Sequence, residues 1–305
     1  MNVKGLKVSE KTGASELVES MRNVGFQATE LGKAVEVVRE MKRAKATVFL
    51  TFTSNMVSSG LRELFAQLCE ENFVDAIITS IGSVEEDLMK TRAPFQLGSF
   101  NADDVELHKK GINRIGNIFV PNARYEWLEN FLQPFFAKEL KKQEKTGKLL
   151  SPREIIRDLG CRVKDKNSFV FQAAKNNIPV FCPAPTDGAF GLQVYFFKQD
   201  HPEFGIDVTA DMNALAQLVF NSKKTGGIVL GGGFAKHHLI GANILRGGLD
   251  YAVYVTTATQ YDGSLSGARV NEAVSWGKIN AKAKAVTVEG DATIVFPLLI
   301  AGVKG

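Results

Sequence analysis

Seven short runs of the chain are rich in β-forming residues and apolar nearly from end to end: residues 47–52, 74–79, 118–121, 178–182, 227–230, 252–257 and 292–296. Continuous apolar runs, unlike alternating ones, mark strands covered on both faces. Between them lie residues at helical spacing: Leu31, Val35 and Val38; Leu61, Leu64, Phe65 and Leu68; Trp127, Leu128, Phe131 and Leu132; Leu239 and Leu245. Strands alternating with helices in this way specify an α/β fold: a doubly wound, mostly parallel sheet with helices on both faces. No linker, internal repeat or low-complexity stretch interrupts the pattern. Residues 1–305 therefore read as a single domain, with 1–13 loosely ordered.

At 305 residues the chain can bury a sizeable core, and a net charge of +4 leaves no basic stripe for nucleic acid. Cys69, Cys161 and Cys182 are odd in number and form no CxxC pair, so neither a disulfide framework nor a metal site is expected. The first residues lack an apolar signal core. The longest apolar run, 292–302, is too short for a bilayer and contains Pro297. The expectation is a soluble, cytoplasmic protein with no membrane partner.

In parallel sheets of this kind, ligands sit beyond the carboxyl ends of the strands. The loop after 47–52 offers Ser54, Asn55 and Ser58; the next offers Gly82, then Glu85, Glu86 and Asp87. Acids at a helix start also compensate the helix dipole. Asp187 follows another strand end, just before a glycine. Gly231-Gly232-Gly233 lets backbone amides approach a phosphate, although Lys236 stands where a dinucleotide fingerprint has its third glycine. His237 and His238 follow. After 252–257 come Thr257, Ala258, Asp262, Gly263 and Ser264, and after 271–279 come Asp291 and Ala292.

The stretch 271–279, NEAVSWGKI, is the most pointed. An uncharged Lys278 amine can form Schiff bases. Trp276 can lie against a cation, a contact contributing about 1–2 kcal/mol when desolvated. Glu272 can neutralise a substrate ammonium. The competing structural reading is an amphipathic helix with Trp276 in the core and Lys278 in water. With every such loop expected on one side of one sheet, the composite is a dinucleotide site beside an acidic pocket containing a lysine.

Residues 25–302 resemble the deoxyhypusine synthase family, through FTSN at 52–55, VEED at 84–87, GINRIGN at 111–117, TDG at 186–188, LGGG at 230–233 with KHH at 236–238, and EAVSWGKI at 272–279. The resemblance implies a Rossmann-like fold and NAD-dependent transfer of a 4-aminobutyl group from spermidine, through an imine on Lys278, to a lysine of translation factor 5A. It implies His237 as the proton-transfer group, Trp276 along the polyamine, and Glu86 and Glu272 at its cationic nitrogens, with Glu85 and Gly263 also in the substrate set. Ser54, Asn55, Ser58, Gly82, Glu86, Asp187, Gly232, Thr257, Ala258, Asp291 and Ala292 would line the NAD site. A homotetramer with active sites between paired subunits is also implied.

Two positions depart from the family pattern: Leu192 and Leu265 stand where the family has aspartates that hold the amine. Charge-assisted hydrogen bonds contribute about 1.5–3 kcal/mol each, so losing two would weaken spermidine by orders of magnitude. Asn271 and 80–83 depart as well. Alternatives are therefore a paralogue with another donor or acceptor, such as agmatine or a homospermidine-forming reaction, and a non-catalytic NAD-binding relative.

Overall fold

The computed structural model describes residues 2–305, which separate into two compact units. The first comprises 2–52, Val74–Ile78 and Asn213–Gly305. Five of its strands are parallel and lie in the order Ala76–Ile78, Thr47–Thr51, Thr225–Leu230, Leu249–Thr256, Ile279–Glu289. The central strand is buried at every position. Two glycines in it show why both of its faces are covered. A Cβ on Gly226 would lie 2.5 Å from Met41 Cγ, in the helix Phe26–Arg43. A Cβ on Gly227 would lie 2.8 Å from Leu239 Cδ2, in the helix Gly233–Asn243. Successive strand residues point to opposite faces, so the two helices clasp the sheet from opposite sides. The α/β architecture with helices on both faces is as expected.

Two expectations for this unit need correction. The run 292–296 is not a strand but the start of the helix Ala292–Lys304. Asp291 caps it, accepting from the Thr293 amide at 2.8 Å. A short apolar run has no periodicity of its own, and only its continuation through Leu299 and Ile300, both buried, reveals helical length. Conversely, the strand Ile279–Glu289 went unread because exposed residues dominate it, including Lys282 and Lys284. It is the edge strand, where lysines discourage pairing with another chain.

The second unit comprises Thr53–Phe73 and Thr79–Met212. It is largely helical: Ser54–Ser58, Arg62–Glu70, Ile81–Arg92, Ala123–Thr146, Pro152–Gly160, Phe169–Lys175 and Ala189–Asp200. The run 118–121 is a strand, but it belongs to a small antiparallel sheet with Gln96–Leu97 and Ile112–Ile115, not to the parallel one. Phe136 packs among Phe190, Phe197 and Phe204, with ring centroids 5.3, 5.6 and 5.5 Å away. That aromatic core anchors the helix Ala189–Asp200, whose first turn reaches the acids described below.

Candidate active site

Lys278 is placed by the way a short helix ends. Val270–Ser275 terminates at Trp276, and Gly277 follows with φ +67°, a conformation that costs any residue with a Cβ. The Gly277 amide donates to Val274 O at 2.9 Å and the Lys278 amide to Ala273 O at 3.0 Å. These two bonds are a Schellman motif, which ties off the last helical carbonyls. The Lys278 carbonyl then accepts from the Leu249 amide at 3.1 Å. Both backbone polar groups of Lys278 are thus fixed, one to the helix and one to the sheet.

This geometry revises the expected placement. Lys278 does not sit at a carboxyl end. It precedes Ile279–Glu289 and pairs at the amino end of Leu249–Thr256. The connection between these neighbouring parallel strands, residues 257–278, itself carries Gly263, Leu265, Glu272, Trp276 and Lys278. The competing reading of Trp276 as a core residue also fails, since the indole is 66% exposed.

The side chains converge on a cavity of about 290 Å³, lined among others by His237, Gly263, Leu265, Glu272, Trp276 and Lys278. Lys278 Nζ lies 3.5 Å from His237 Nε2 and 4.9 Å from the centroid of the Trp276 ring. His238, next to His237, is half-buried, and burial followed by the His237 charge holds its imidazole below the usual range.

Lys236 also lines this cavity and was missed as a site residue. It is 2% exposed, donating to Leu265 O and Ala268 O at 2.7 Å each, with its ammonium 4.4 Å from the Tyr254 ring centroid. Burial lowers its pKa to about 8, against the opposing pull of Glu272. Its signal was positional: Lys236, Leu239, Ile240 and Asn243 form one buried helical stripe, and a lysine there needs a local partner. Lys236 staples the 257–268 loop to the helix.

The glycine triplet begins this helix. Gly231 and Gly233 have φ +80° and +68°, and Gly232 at the N-cap supplies no side-chain oxygen to the first turn. An uncapped helix N-terminus at a strand's carboxyl end suits an anionic phosphate. Gly232 itself has a local reason, because its Cβ would lie 2.3 Å from Ser266 Cα. Thr257 and Ala258 follow the next strand, the Ala258 amide donating to Thr256 Oγ1 at 3.1 Å. Asp291 and Ala292 follow the edge strand, with the Asp291 carboxylate engaged in capping.

The remaining candidates lie in the second unit. Gly82 leaves room for Ser54, whose Cβ would be 3.0 Å from an added methyl. Asn55 is exposed and accepts from Thr53 Oγ1 at 2.7 Å. Asp187 is exposed and precedes Gly188, where a Cβ would meet Glu85 Oε2 at 2.8 Å.

Glu85, Glu86 and Asp87 are consecutive, buried and differently supported. Asp87 accepts from Arg62 Nε at 2.5 Å, the Val170 amide at 3.1 Å and the Ser168 hydroxyl. Glu85 accepts from the Phe190 amide at 2.7 Å, at the start of the helix Ala189–Asp200. Among the described residues, Glu86 accepts a hydrogen bond from the Ser58 hydroxyl alone, in a very short contact. Burial raises all three carboxyls, and Glu86 reaches about 8. Dipole compensation does not explain three buried acids. Among the described residues no His, Cys, Asp and Glu cluster could hold a metal ion.

A model of the deoxyhypusine synthase family matches residues 16–303. The chain belongs to the deoxyhypusine synthase family. It is 46% identical over 311 residues to a Thermococcus onnurineus protein named "Probable deoxyhypusine synthase", covering 98% of this chain and 93% of the relative. A Methanocaldococcus jannaschii protein of the same name is 50% identical over 291 residues, covering 91% and 88%. A solved structure from Entamoeba histolytica carrying the same family name superposes with a TM-score of 0.73 at 28% identity, covering 98% of this chain and 96% of the other. An enzyme of deoxyhypusine synthase type is therefore the coarse identity. Within that family, the hydrophobic Leu265 lines the lysine cavity and Leu192 is 51% exposed on its helix.

Proposed function

We propose that this protein transfers a 4-aminobutyl group from spermidine, by way of an imine on Lys278, to a lysine of translation factor 5A, using NAD. The observation that carries this reading is the triad of Lys278, His237 and Trp276 around one cavity. A lysine amine within reach of an imidazole can exchange protons with it as it adds to an imine carbon and is later displaced. An indole face at 4.9 Å shields that amine from bulk water on one side and offers a surface for methylenes. Glu272, lining the same cavity, supplies a negative charge for one substrate nitrogen.

NAD, when bound, would oxidise the amine to the electrophile that Lys278 requires. The uncapped N-terminus of Gly233–Asn243 fits its pyrophosphate, with Gly232, Thr257, Ala258, Asp291 and Ala292 as the residues that would hold it in the first unit; Ser54, Asn55, Ser58, Gly82, Glu86 and Asp187 are NAD residues by family resemblance alone. The Asp291 capping bond limits that residue to its outer lone pairs. We place the activity in a homotetramer in the cytoplasm.

The test is a donor screen with NAD, followed by borohydride reduction and mass spectrometry of the peptide containing Lys278. Spermidine should add an aminobutyl mass to that residue in the wild type and nothing in Lys278→Arg. Full transfer by Lys278→Arg would refute the covalent route. A second reading, with a different amine donor or acceptor, is favoured by one observation: Leu265 occupies the cavity wall where the family has an aspartate. It expects agmatine or putrescine to outperform spermidine in the same screen.

A further inference from the structure

The parallel sheet has a second concave end. Opposite the glycine triplet, where the strands of the first unit begin, a cavity of about 280 Å³ is lined by Lys224, Asp250, Tyr251, Asn280, Lys282 and Lys284, among others. Its shape comes from the edge strand. Ile279 pairs with Leu249 and Lys284 with Tyr251, so residues 280–283 bulge out of the ladder. Within the bulge the Lys282 amide turns back onto Asn280 Oδ1 at 2.9 Å. The facing wall is Lys224, whose carbonyl accepts from the Thr47 amide at 2.9 Å, fixing its backbone just before the central strand Thr225–Leu230.

The cations here outnumber the acids that could neutralise them. Asp250 Oδ2 accepts from the Thr225 amide at 2.9 Å and from Arg246 Nη1 at 2.7 Å. Its other oxygen lies 3.9 Å from Lys224 Nζ, beyond hydrogen-bond reach, so one carboxylate is shared by two cations. Lys284 Nζ lies 2.5 Å from Glu40 Oε2, and Glu36, one helical turn earlier, is taken by Arg22. Among the described residues the Lys282 ammonium has no hydrogen bond or ion pair. All three lysines are exposed. Lysines at a sheet edge discourage pairing with another chain. That role explains neither Lys224, which precedes a central strand, nor the concavity it shares with Lys282 and Lys284.

We propose that this cavity binds an oxyanion of the phosphate class between Lys224 on one side and Lys282 and Lys284 on the other, and that the bound anion ties the edge strand to the loop before the central strand. Lysine ammoniums act on phosphate as point charges and need no planar fork. Tyr251 is 9% exposed, with Lys224 Nζ 5.9 Å from its ring centroid, so no open aromatic face awaits a base. Recognition therefore ends at the phosphoryl groups, whether they arrive as an inorganic anion or on a nucleotide. The tie crosses the stretch where the ladder is unpaired, immediately beyond Lys278. The anion supplies there the link that backbone pairing omits.

The test titrates the full-length protein with inorganic pyrophosphate, followed by phosphorus NMR at constant ionic strength. Lys282→Ser and Lys224→Ser should each weaken binding about tenfold, the loss of one charge-assisted hydrogen bond, while Lys282→Arg retains it. Lys282 has no internal partner, so its replacement leaves the fold intact. ADP should bind no more tightly than pyrophosphate. Bound pyrophosphate should slow hydrogen exchange across 279–284 and, at a hundredfold excess over its Kd, raise the melting temperature by about 5 °C. No binding by the wild type overturns the site. Equal affinity in Lys282→Ser and Lys224→Ser would put the anion elsewhere, at the glycine triplet for instance, and overturns it too. A much tighter ADP complex refutes recognition limited to phosphoryl groups, and unchanged exchange at 279–284 with pyrophosphate bound refutes the tie.

Discussion

The Schellman turn at Gly277 makes a quantitative prediction in which stability and chemistry separate. Replacing Gly277 with alanine puts a Cβ at φ +67°, in open space with no atom within 4 Å. No steric clash contributes, so the energy is conformational. A left-handed residue with a Cβ costs about 1–2 kcal/mol. Restricting the unfolded chain returns about 0.4–1 kcal/mol. The net is about 1 kcal/mol, and for a chain of this size the melting temperature should fall by about 2–4 °C or less. The chemical loss should be larger. Gly277 sets the direction from which Lys278 reaches His237, 3.5 Å away, and a displacement near 1 Å costs about a hundredfold in rate. Calorimetric melting and the rate of borohydride-trapped adduct formation on Lys278 measure the two effects. Gly277→Asn, which tolerates the left-handed region, should recover much of the rate. If Gly277→Ala left the adduct rate within twofold of wild type, or if asparagine were no better than alanine, the turn would not be what aims the lysine.

Other expectations concern neighbouring features. Lys236→Met should leave the carbonyls of Leu265 and Ala268 without their buried donor, costing about 2 kcal/mol and speeding hydrogen exchange across residues 259–268. Exchange unchanged from wild type there would contradict the stapling role. Leu265→Asp should tighten spermidine by about tenfold or more in a calorimetric titration, since it returns a carboxylate to the cavity wall; unchanged affinity would show that another group already serves that nitrogen. For Glu86 the sign follows from the raised pKa: from about 4.5, where the unfolded carboxyl ionises, to about 8, the folded state keeps a proton that the unfolded state has lost. Wild-type stability should therefore decline relative to Glu86→Gln as pH rises through that window, and match it near pH 4. Parallel melting curves for the two proteins from pH 4 to 8 would refute this.

Much of the architecture was legible because strand burial is written as composition. TVFLTF at 47–52 and GIVL at 227–230 show no charged or alternating polar pattern, which reads as strands covered on both faces. The misreadings came from segments where composition and position diverge. Residues 292–296 are as apolar as any central strand, and only the aspartate cap and the length of the run make them a helix. Residues 279–289 are a true strand whose edge position fills it with lysines. At the site, Glu272, Trp276 and Lys278 stood out because their types are unusual together, and the cavity does unite them with His237. Lys236 did not stand out, because a buried lysine satisfied by two carbonyls has no partner visible in sequence. Likewise, nothing in VEED at 84–87 distinguishes the three acids. Their difference arises from Arg62, Phe190 and Ser58, residues distant along the chain.

The connection at 257–278 has a consequence for how the protein loses activity. The backbone of Lys278 is held to the sheet through Leu249, and beyond Ile279 the register with that strand resumes only at Lys284. Peeling the edge strand is therefore a small opening, with few pairings to break near the lysine, and such local openings occur at lower free energy than global unfolding. Heating should detach Lys278 from His237 while the central strands are still intact. The working temperature limit is then set by one hydrogen-bonded seam at the margin of the sheet, and a substitution that tightens that seam would raise it without altering the core.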